Sequence, residues 1–185
     1  MSAAAVFLDR DDTLMPSRSL PRPAPPAAVG DVVDPALVRL LPGALDGCVR
    51  LAMAGFKLIV VSNQSVVARG GATLEMVASV NARVRELLRD PATGGALIDA
   101  VYICPFHPNG TVPEFTGEHP WRKPRPGMIV AAAAEHDIDL SRSWLIGDME
   151  RDVAAGIAGG LAAERCLLLG RDAGSIAEAA ERILR

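Results

Sequence analysis

The chain has 185 residues and a mass of 19.4 kDa, which is near the usual size of one domain. We therefore expect a single domain over residues 1–185. Nineteen Lys and Arg against 22 Asp and Glu give a net charge of −3, and no block of like charge occurs, which argues against nucleic acid or an anionic membrane as partner. Only 4% of the residues are aromatic, so few rings could stack on bases.

The expected environment is the cytoplasm. Three cysteines, odd in number and far apart, argue against a disulfide framework and for a reducing compartment. No stretch of eighteen apolar residues is present, and the first eight residues lack the basic flank and the length of a signal peptide. We expect a cytoplasmic monomer with no membrane span. The cysteines are Cys48, Cys104 and Cys166.

Short apolar runs alternate with longer helical patterns along the chain, which is typical of a parallel sheet with crossover helices. The predicted fold class is α/β: a Rossmann-like, doubly wound parallel sheet of about five strands with helices on both faces. The predicted strands are 5–8, 57–61, 100–104, 143–146 and 166–169. The predicted helices are 43–54, 73–89, 127–136, 152–158 and 176–184, with Thr73 capping the second and a capping box of Ser175 and Glu178 opening the last.

Two proline-rich segments, 16–42 and 105–126, interrupt this alternation. Loops of this length in compact domains are usually functional or disordered. Segment 105–126 follows a predicted strand directly, and ligands of open α/β sheets bind at the carboxyl ends of strands, so we predict that it is a substrate-specificity loop. Segment 16–42 is too short and too rich in proline for a large cap domain, which predicts an open site.

Carboxylates follow two of the predicted strands. Asp9, Asp11 and Asp12 lie in FLDRDDTL, and Asp148 lies in IGDMERD. Crowded carboxylates repel each other unless a cation lies among them, and oxygen ligands favour a hard metal such as Mg²⁺. A lone cluster of this kind is more often an acidic turn, but strand ends meet at one sheet edge, so Asp148 could complete a metal site with Asp9 and Asp11. For Asp152, capping the next helix is the simplest role.

Two further motifs carry groups that are suited to binding an anion. VVSNQS places a hydroxyl and two amides at the end of the second strand, and WRKPRPG places three cations before a helix. Alone, the first would be read as an ordinary turn and the second as a solvated basic turn.

Taken together, these motifs resemble the haloacid dehalogenase-like (HAD-like) phosphatase superfamily. More narrowly, FLDRDDTL, VVSNQSVVARG, CPFHP, RKPRPGM and IGDMERD resemble the D-glycero-D-manno-heptose 1,7-bisphosphate phosphatases and the related histidinol-phosphatase domains. The resemblance covers about residues 6–160. Its motif residues here are Asp9, Asp11, Thr13, Ser62, Lys123, Asp148 and Asp152.

The resemblance implies a Mg²⁺-dependent phosphomonoester phosphatase that forms an aspartyl phosphate. Asp9 would attack phosphorus, and Asp11 would donate a proton to the leaving oxygen and then accept one from water. The Asp9 carboxylate, the Asp11 main-chain carbonyl and Asp148 would hold Mg²⁺.

The resemblance also implies the groups that bind substrate. Ser62, the Asn63 backbone and Lys123 would stabilise charge on the equatorial phosphate oxygens. Arg69 and Arg122 match positions that could hold a second phosphate or a sugar hydroxyl. A heptose bisphosphate is the favoured substrate. The alternatives are histidinol phosphate, another small phosphometabolite, or a binding module without turnover, which would have no reason to keep both a nucleophile and a separate acid.

The long loop departs from the pattern of the resemblance, which would include a structural zinc held by a CxH and a CxC pair. Only Cys104 is retained; Phe106, His119 and Trp121 replace the other ligands. A site rebuilt from Cys104, His107 and His119 would have three ligands at unfamiliar spacing. We therefore expect no zinc, with Phe106 and Trp121 packing the loop instead.

Three further departures bear on the substrate. Asp12 and Val66 each replace a glycine, and Met149 replaces a lysine. We interpret Asp12 as an outer contact or a surface side chain and not as a metal ligand. The change at Met149 removes a cation near the metal and could alter substrate preference.

Overall fold

The computed structural model describes residues 2–185. Its five strands form one parallel sheet in the order β3-β2-β1-β4-β5, so the α/β prediction is confirmed. The strands are β1 (Ala5–Leu8), β2 (Lys57–Asn63), β3 (Ala100–Cys104), β4 (Trp144–Gly147) and β5 (Cys166–Leu168). β2 runs two residues further than predicted because Ser62 and Asn63 continue the ladder with Ile103 and Cys104.

Five helices cover both faces of this sheet. They are α1 (Ala44–Met53), α2 (Leu74–Leu87), α3 (Gly127–Glu135), α4 (Glu150–Ala158) and α5 (Ile176–Ile183). Thr73 accepts a hydrogen bond from the Met76 N–H at 3.2 Å, and Ser175 accepts one from the Glu178 N–H at 3.2 Å, as the capping patterns predicted. Four short 3₁₀ turns lie between these elements: Pro35–Leu37, Pro113–Phe115, Leu140–Arg142 and Ala163–Arg165.

β1 lies at the centre of the sheet and is fully buried. Its side chains alternate between two apolar clusters, as the period of two in a strand requires. Val6 and Leu8 pack with α1, α2 and α5 on one face, whereas Ala5 and Phe7 pack with α3 and α4 on the other. Burial on both faces explains why the strands are nearly continuous apolar runs.

The proline-rich segment 16–42 contains no element longer than its 3₁₀ turn, and no large cap domain is present among residues 2–185. The segment is nevertheless tied to the core. Val32 and Val38 are buried with the α1 side of the sheet, and Ala27 packs with Val66 and Val77 beside the start of α2. No helix in the described part of the chain has the length and apolar character needed to cross a membrane.

Replacing Gly47 by Ala should destabilise the packing of α1 on α5. An added Cβ would lie 2.6 Å from the Ile176 backbone, and overpacking of this kind typically costs about 1–3 kcal/mol. Alanine also favours a helix interior over glycine by about 1 kcal/mol. Because the clash is with backbone, we expect a net loss of roughly 1–2 kcal/mol, measured by urea unfolding.

Gly174→Ala is the matched control, since its added Cβ would meet only the carboxylate end of the Glu178 side chain at 3.1 Å. An equal loss of stability in both variants would contradict the packing argument.

Candidate active site

The carboxyl ends of β1 and β4 bring Asp9 and Asp148 together. Leu8 pairs with Val60 of β2 and Ile146 of β4, so the residues that follow these strands emerge at one edge of the sheet. The Asp9 side chain is 7% exposed and that of Asp148 is 8% exposed. Two carboxylates are therefore almost completely withdrawn from water at the place where ligands of such sheets bind.

A buried lysine joins this pair to a third carboxylate. Lys123 Nζ lies 2.6 Å from Asp9 Oδ1 and 2.8 Å from Asp152 Oδ1, and it donates a hydrogen bond to the Val61 carbonyl at 2.7 Å. The Lys123 and Asp152 side chains are 2% and 1% exposed. Burial alone would lower the pKa of Lys123, but Asp9 and Asp152 outweigh it, so the pKa is raised and the ammonium is retained.

Asp152 has a larger role than the helix cap that we expected. Its Oδ2 does accept a hydrogen bond from the Met149 N–H at 3.0 Å, inside a capping box at the start of α4. Its other oxygen faces Lys123. A Cβ at Gly147 would lie 2.5 Å from the Asp152 Cβ, so the glycine of IGDMERD is needed for Asp152 to approach the strand.

Three carboxylates form the group that could hold a metal ion among residues 2–185. Asp9, Asp148 and Asp152 each offer an oxygen, and these atoms lie within 4.8 Å of one another. Burial and the neighbouring Asp9 raise the pKa of Asp148 to about 6, although Arg18 opposes the shift. Asp148 Oδ1 is buried without a hydrogen-bond partner among residues 2–185, and a bound cation would satisfy it. A hard, oxygen-preferring cation such as Mg²⁺ fits this donor set.

The Asp11 side chain does not join that group. Its carboxylate accepts hydrogen bonds from Arg10, with both oxygens within 3.0 Å of Nη2, and from Gln64 Nε2 at 2.9 Å. Burial raises the pKa of Asp11, Arg10 opposes the shift, and Asp9 adds to it. Such a carboxyl is suited to carry a proton.

Arg10 is a site residue that the sequence analysis missed. It is 1% exposed, and its guanidinium also donates to Asn81 Oδ1 on α2 at 2.8 Å and to Gln64 Oε1 at 2.9 Å. A charged residue directly after Asp9 was the available signal. Its long-range partners depend on the path of the chain and could not be inferred.

Ser62 and Asn63 occupy the end of β2, as expected, and their side chains are engaged. Ser62 Oγ accepts a hydrogen bond from Gln64 Nε2 at 2.8 Å. The Asn63 amide pairs with the Lys123 backbone, accepting from its N–H and donating to its carbonyl, both at 3.0 Å. We expected the Asn63 backbone to bind phosphate oxygens. The structure shows in addition that the Asn63 side chain fixes the main chain of Lys123, the residue that bridges Asp9 and Asp152.

A cavity of about 350 Å³ opens beside Asp11, Asn63 and Gln64. Four arginines line it, and they differ in how their charge is balanced. Arg69 Nη2 pairs with both oxygens of Asp31, at 2.8 and 2.7 Å. Arg122 donates only to neutral acceptors, Ser65 Oγ at 2.6 Å and the Phe106 carbonyl at 3.1 Å. The lining arginines are Arg18, Arg69, Arg122 and Arg151.

Burial lowers the pKa of Arg122, and its arginine neighbours add to this effect. Its positive charge is therefore poorly compensated, as is that of Arg151, for which no hydrogen bond or ion pair is found in the described range 2–185. The cavity is an attractive environment for an anion.

Aromatic contacts hold the loop at 105–126. Phe106 stacks on His119 with ring centroids 4.2 Å apart and also meets Phe115 edge-on at 5.7 Å. Trp121 lies edge-on to Tyr102 of β3 at 5.8 Å. Phe106 and Trp121 pack on the apolar cluster under α3, so the packing role that we predicted for these two side chains is consistent with the structure. The absence of zinc stays a prediction.

The HAD-hydrolase-like family model matches residues 120–179. A D-glycero-β-D-manno-heptose-1,7-bisphosphate 7-phosphatase from Yersinia pestis is 34% identical over 97% of this chain and 88% of its own length. The corresponding D-glycero-D-manno-heptose enzyme of Thermosynechococcus vestitus is 40% identical over 83% of this chain and 73% of its own length. A D-glycero-β-D-manno-heptose-1,7-bisphosphate 7-phosphatase from Mesorhizobium japonicum is 39% identical over 85% of this chain and 66% of its own length.

Two solved structures resemble this chain over nearly its whole length. A protein described as a HAD-like phosphatase from Mesorhizobium loti superposes with a TM-score of 0.78 at 33% identity, covering 98% of this chain and 88% of the other. A D,D-heptose 1,7-bisphosphate phosphatase from B. bronchiseptica, complexed with magnesium and phosphate, gives 0.76 at 25% identity and 98% of both chains.

A buried aspartate at the end of the central strand, bridged by a lysine to an aspartate in the first turn of α4, together with the family match, defines a phosphatase of the HAD-like hydrolase class. Within that class the chain belongs to the family whose curated members above carry the name heptose-1,7-bisphosphate 7-phosphatase.

Replacing Lys123 by Gln should destabilise the protein, because Asp9 and Asp152 would be left buried without their cation. Removing one partner of a buried ion pair costs about 3–5 kcal/mol, so we expect a loss of this size in urea unfolding. Asp9→Asn is the matched comparison: it keeps the side-chain volume, removes one member of a crowded carboxylate set and leaves Lys123 paired with Asp152, so it should cost clearly less. Equal losses would show that the charge of Lys123 is not what the fold requires.

Proposed function

We propose that the protein is a Mg²⁺-dependent phosphomonoester phosphatase that forms an aspartyl phosphate on Asp9 and acts on a heptose bisphosphate. The observation that carries this proposal is the position of the Asp9 carboxylate. Lys123 holds Oδ1 at 2.6 Å, whereas Oδ2 has no hydrogen-bond partner among residues 2–185. One oxygen is thus fixed and the other is free to act as nucleophile.

In the first step, Asp9 Oδ2 forms a bond to phosphorus while the bond from phosphorus to the ester oxygen breaks. The departing alkoxide needs a proton, and Asp11, two residues after the nucleophile, would donate it. In the second step, water attacks the phosphorus of the aspartyl phosphate. Asp11 accepts a proton from that water, and the Asp9 carboxylate is released with inorganic phosphate.

Lys123 and the metal would offset the charge that collects around phosphorus. The Lys123 ammonium already faces Asp9, and Asn63 fixes its backbone, so stabilisation requires little reorganisation during the reaction. Asp9, Asp148 and the Asp11 main-chain carbonyl would hold Mg²⁺, which supplies a Lewis acid for the phosphate oxygens.

The arginine-lined cavity supports a substrate with a second anionic group. Arg122 has only neutral hydrogen-bond partners and lies on the loop that also carries Lys123. Arg69 is the weaker of the two candidates because Asp31 already balances its charge. The names of the relatives favour a heptose bisphosphate as the compound that carries both phosphates. Because all three cysteines are free and buried, we also propose a reducing compartment, the cytoplasm.

Asp9→Asn should abolish phosphate release from p-nitrophenyl phosphate in the presence of Mg²⁺. An amide cannot form the aspartyl phosphate, so we expect a fall in kcat of about three orders of magnitude or more. Asp139→Asn is the matched control, since Asp139 is a half-buried aspartate whose carboxylate accepts hydrogen bonds only from Ser141, at the start of a 3₁₀ turn. Undiminished turnover by Asp9→Asn would remove Asp9 as the nucleophile.

A separate screen of the native protein over heptose bisphosphate, other sugar bisphosphates, histidinol phosphate and nucleotides would rank these compounds as substrates.

Mg²⁺ should raise the thermal stability of the native protein and should fail to do so in Asp148→Asn. A ligand that binds only the folded state at 100 times its Kd stabilises it by about 2.7 kcal/mol. The reason is that the buried Asp148 oxygen without a partner would gain a cation. The measurement is a melting curve with chelator and with millimolar Mg²⁺. An equal Mg²⁺ response in both proteins would place the metal elsewhere.

A further inference from the structure

Arg18, in the proline-rich segment, reaches across the site to the end of β4. Its Nη2 donates to Asp148 Oδ2 and lies 3.2 Å from the Met149 sulfur. The side chain is 55% exposed and lines the same cavity as Arg122 and Arg151. A guanidinium thus stands beside Asp148 and Met149.

Asp12 holds Arg18 in this place. Asp12 Oδ1 accepts hydrogen bonds from the Ser17 N–H at 2.8 Å and the Arg18 N–H at 3.3 Å, and Oδ2 accepts one from Ser17 Oγ at 2.6 Å. The same Oδ2 lies 3.3 Å from Arg18 Nε. The carboxylate therefore fixes both the backbone and the side chain of Arg18, and the turn between residues 12 and 18 is closed by it.

The backbone conformation of Asp12 is unusual, and the hydrogen bonds of its side chain stabilise it. Its φ is +56°, in the left-handed region where glycine would be relaxed and another residue costs about 1–2 kcal/mol. The hydrogen bonds to Ser17 and Arg18 offset that cost.

Arg18 still has donors to offer. Its Nη2 and Nε face Asp148 and Asp12, and its Nη1 has no partner in the structure of residues 2–185. Asp9 and Lys123, which act on the transferred phosphate, do not line the cavity. A donor on the cavity side is therefore placed for a different part of the substrate.

We propose that Arg18, positioned by Asp12, is a specificity-determining residue that binds the phosphate group that is not transferred. The proposal rests on the proposed function, because it assumes a bisphosphorylated substrate. It adds to Arg122 a second charged residue in the lining of the same cavity, carried by the proline-rich segment.

The test compares two inhibitors of p-nitrophenyl phosphate turnover, heptose 1,7-bisphosphate as competing substrate and inorganic phosphate. In Arg18→Gln, we expect the inhibition constant of the bisphosphate to rise about tenfold more than that of inorganic phosphate, since only the bisphosphate loses a charge-assisted hydrogen bond. Arg22→Gln is the matched control, because Arg22 is an exposed arginine of the same segment that does not line the cavity; it should leave both constants unchanged.

Asp12 variants test the positioning role. Asp12→Gly suits the left-handed backbone but removes the acceptors, so it should reproduce the selective loss; Asp12→Asn keeps one acceptor oxygen and should restore part of the preference. If Arg18→Gln raises both constants equally, Arg18 acts on Asp148 and the proposal is wrong. If Arg18→Gln leaves the preference intact, the proposal is also wrong while the proposed function stands. A native protein that turns over p-nitrophenyl phosphate but shows no preference for the bisphosphate would overturn the bisphosphate substrate, and the proposal with it.

Discussion

The site depends on one ammonium group placed between two buried carboxylates. Asp9 and Asp152 are both almost completely buried, and two buried carboxylates this close repel each other unless a cation lies between them. Lys123 lies between them and fixes one oxygen of each. The same contact joins the loop at 105–126 to the ends of β1 and β2 and to the first turn of α4. The contact that fastens the loop is therefore also the contact that orients Asp9.

The elements around Lys123 each restrict its position. The Asn63 amide holds its main chain, the Val61 carbonyl accepts from its ammonium, and the stacked rings of Phe106 and His119 brace the loop that carries it. Aromatic packing thus supports the loop around Lys123.

The sheet and the residues at its strand ends could be predicted from the sequence. The way in which their side chains pair could not. The carboxyl ends of parallel strands meet at one edge of the sheet, so the sequence alone predicts that Asp9, Ser62 and Asp148 lie close together. The network of Arg10 with Asn81 joins residues 71 positions apart, and the contact of Arg18 with Asp148 spans 130. Pairings of that range depend on loop paths, which local propensity does not determine. Asp152 illustrates the same limit, since its capping role is local and was expected, whereas its contact with Lys123 is not local.

Asp12 shows why a departure from a motif can be informative. Judged alone, an aspartate with a left-handed backbone next to Asp11 adds strain and negative charge to a crowded acidic turn. In the structure its carboxylate is directed away from the metal group and onto Ser17 and Arg18, so the added charge is neutralised locally. Arg18, which Asp12 holds, contacts Asp148 and lies 3.2 Å from the Met149 sulfur. Asp12 is thus linked through one arginine to the end of β4, and the proline-rich segment contributes a positive charge to the lining of the cavity.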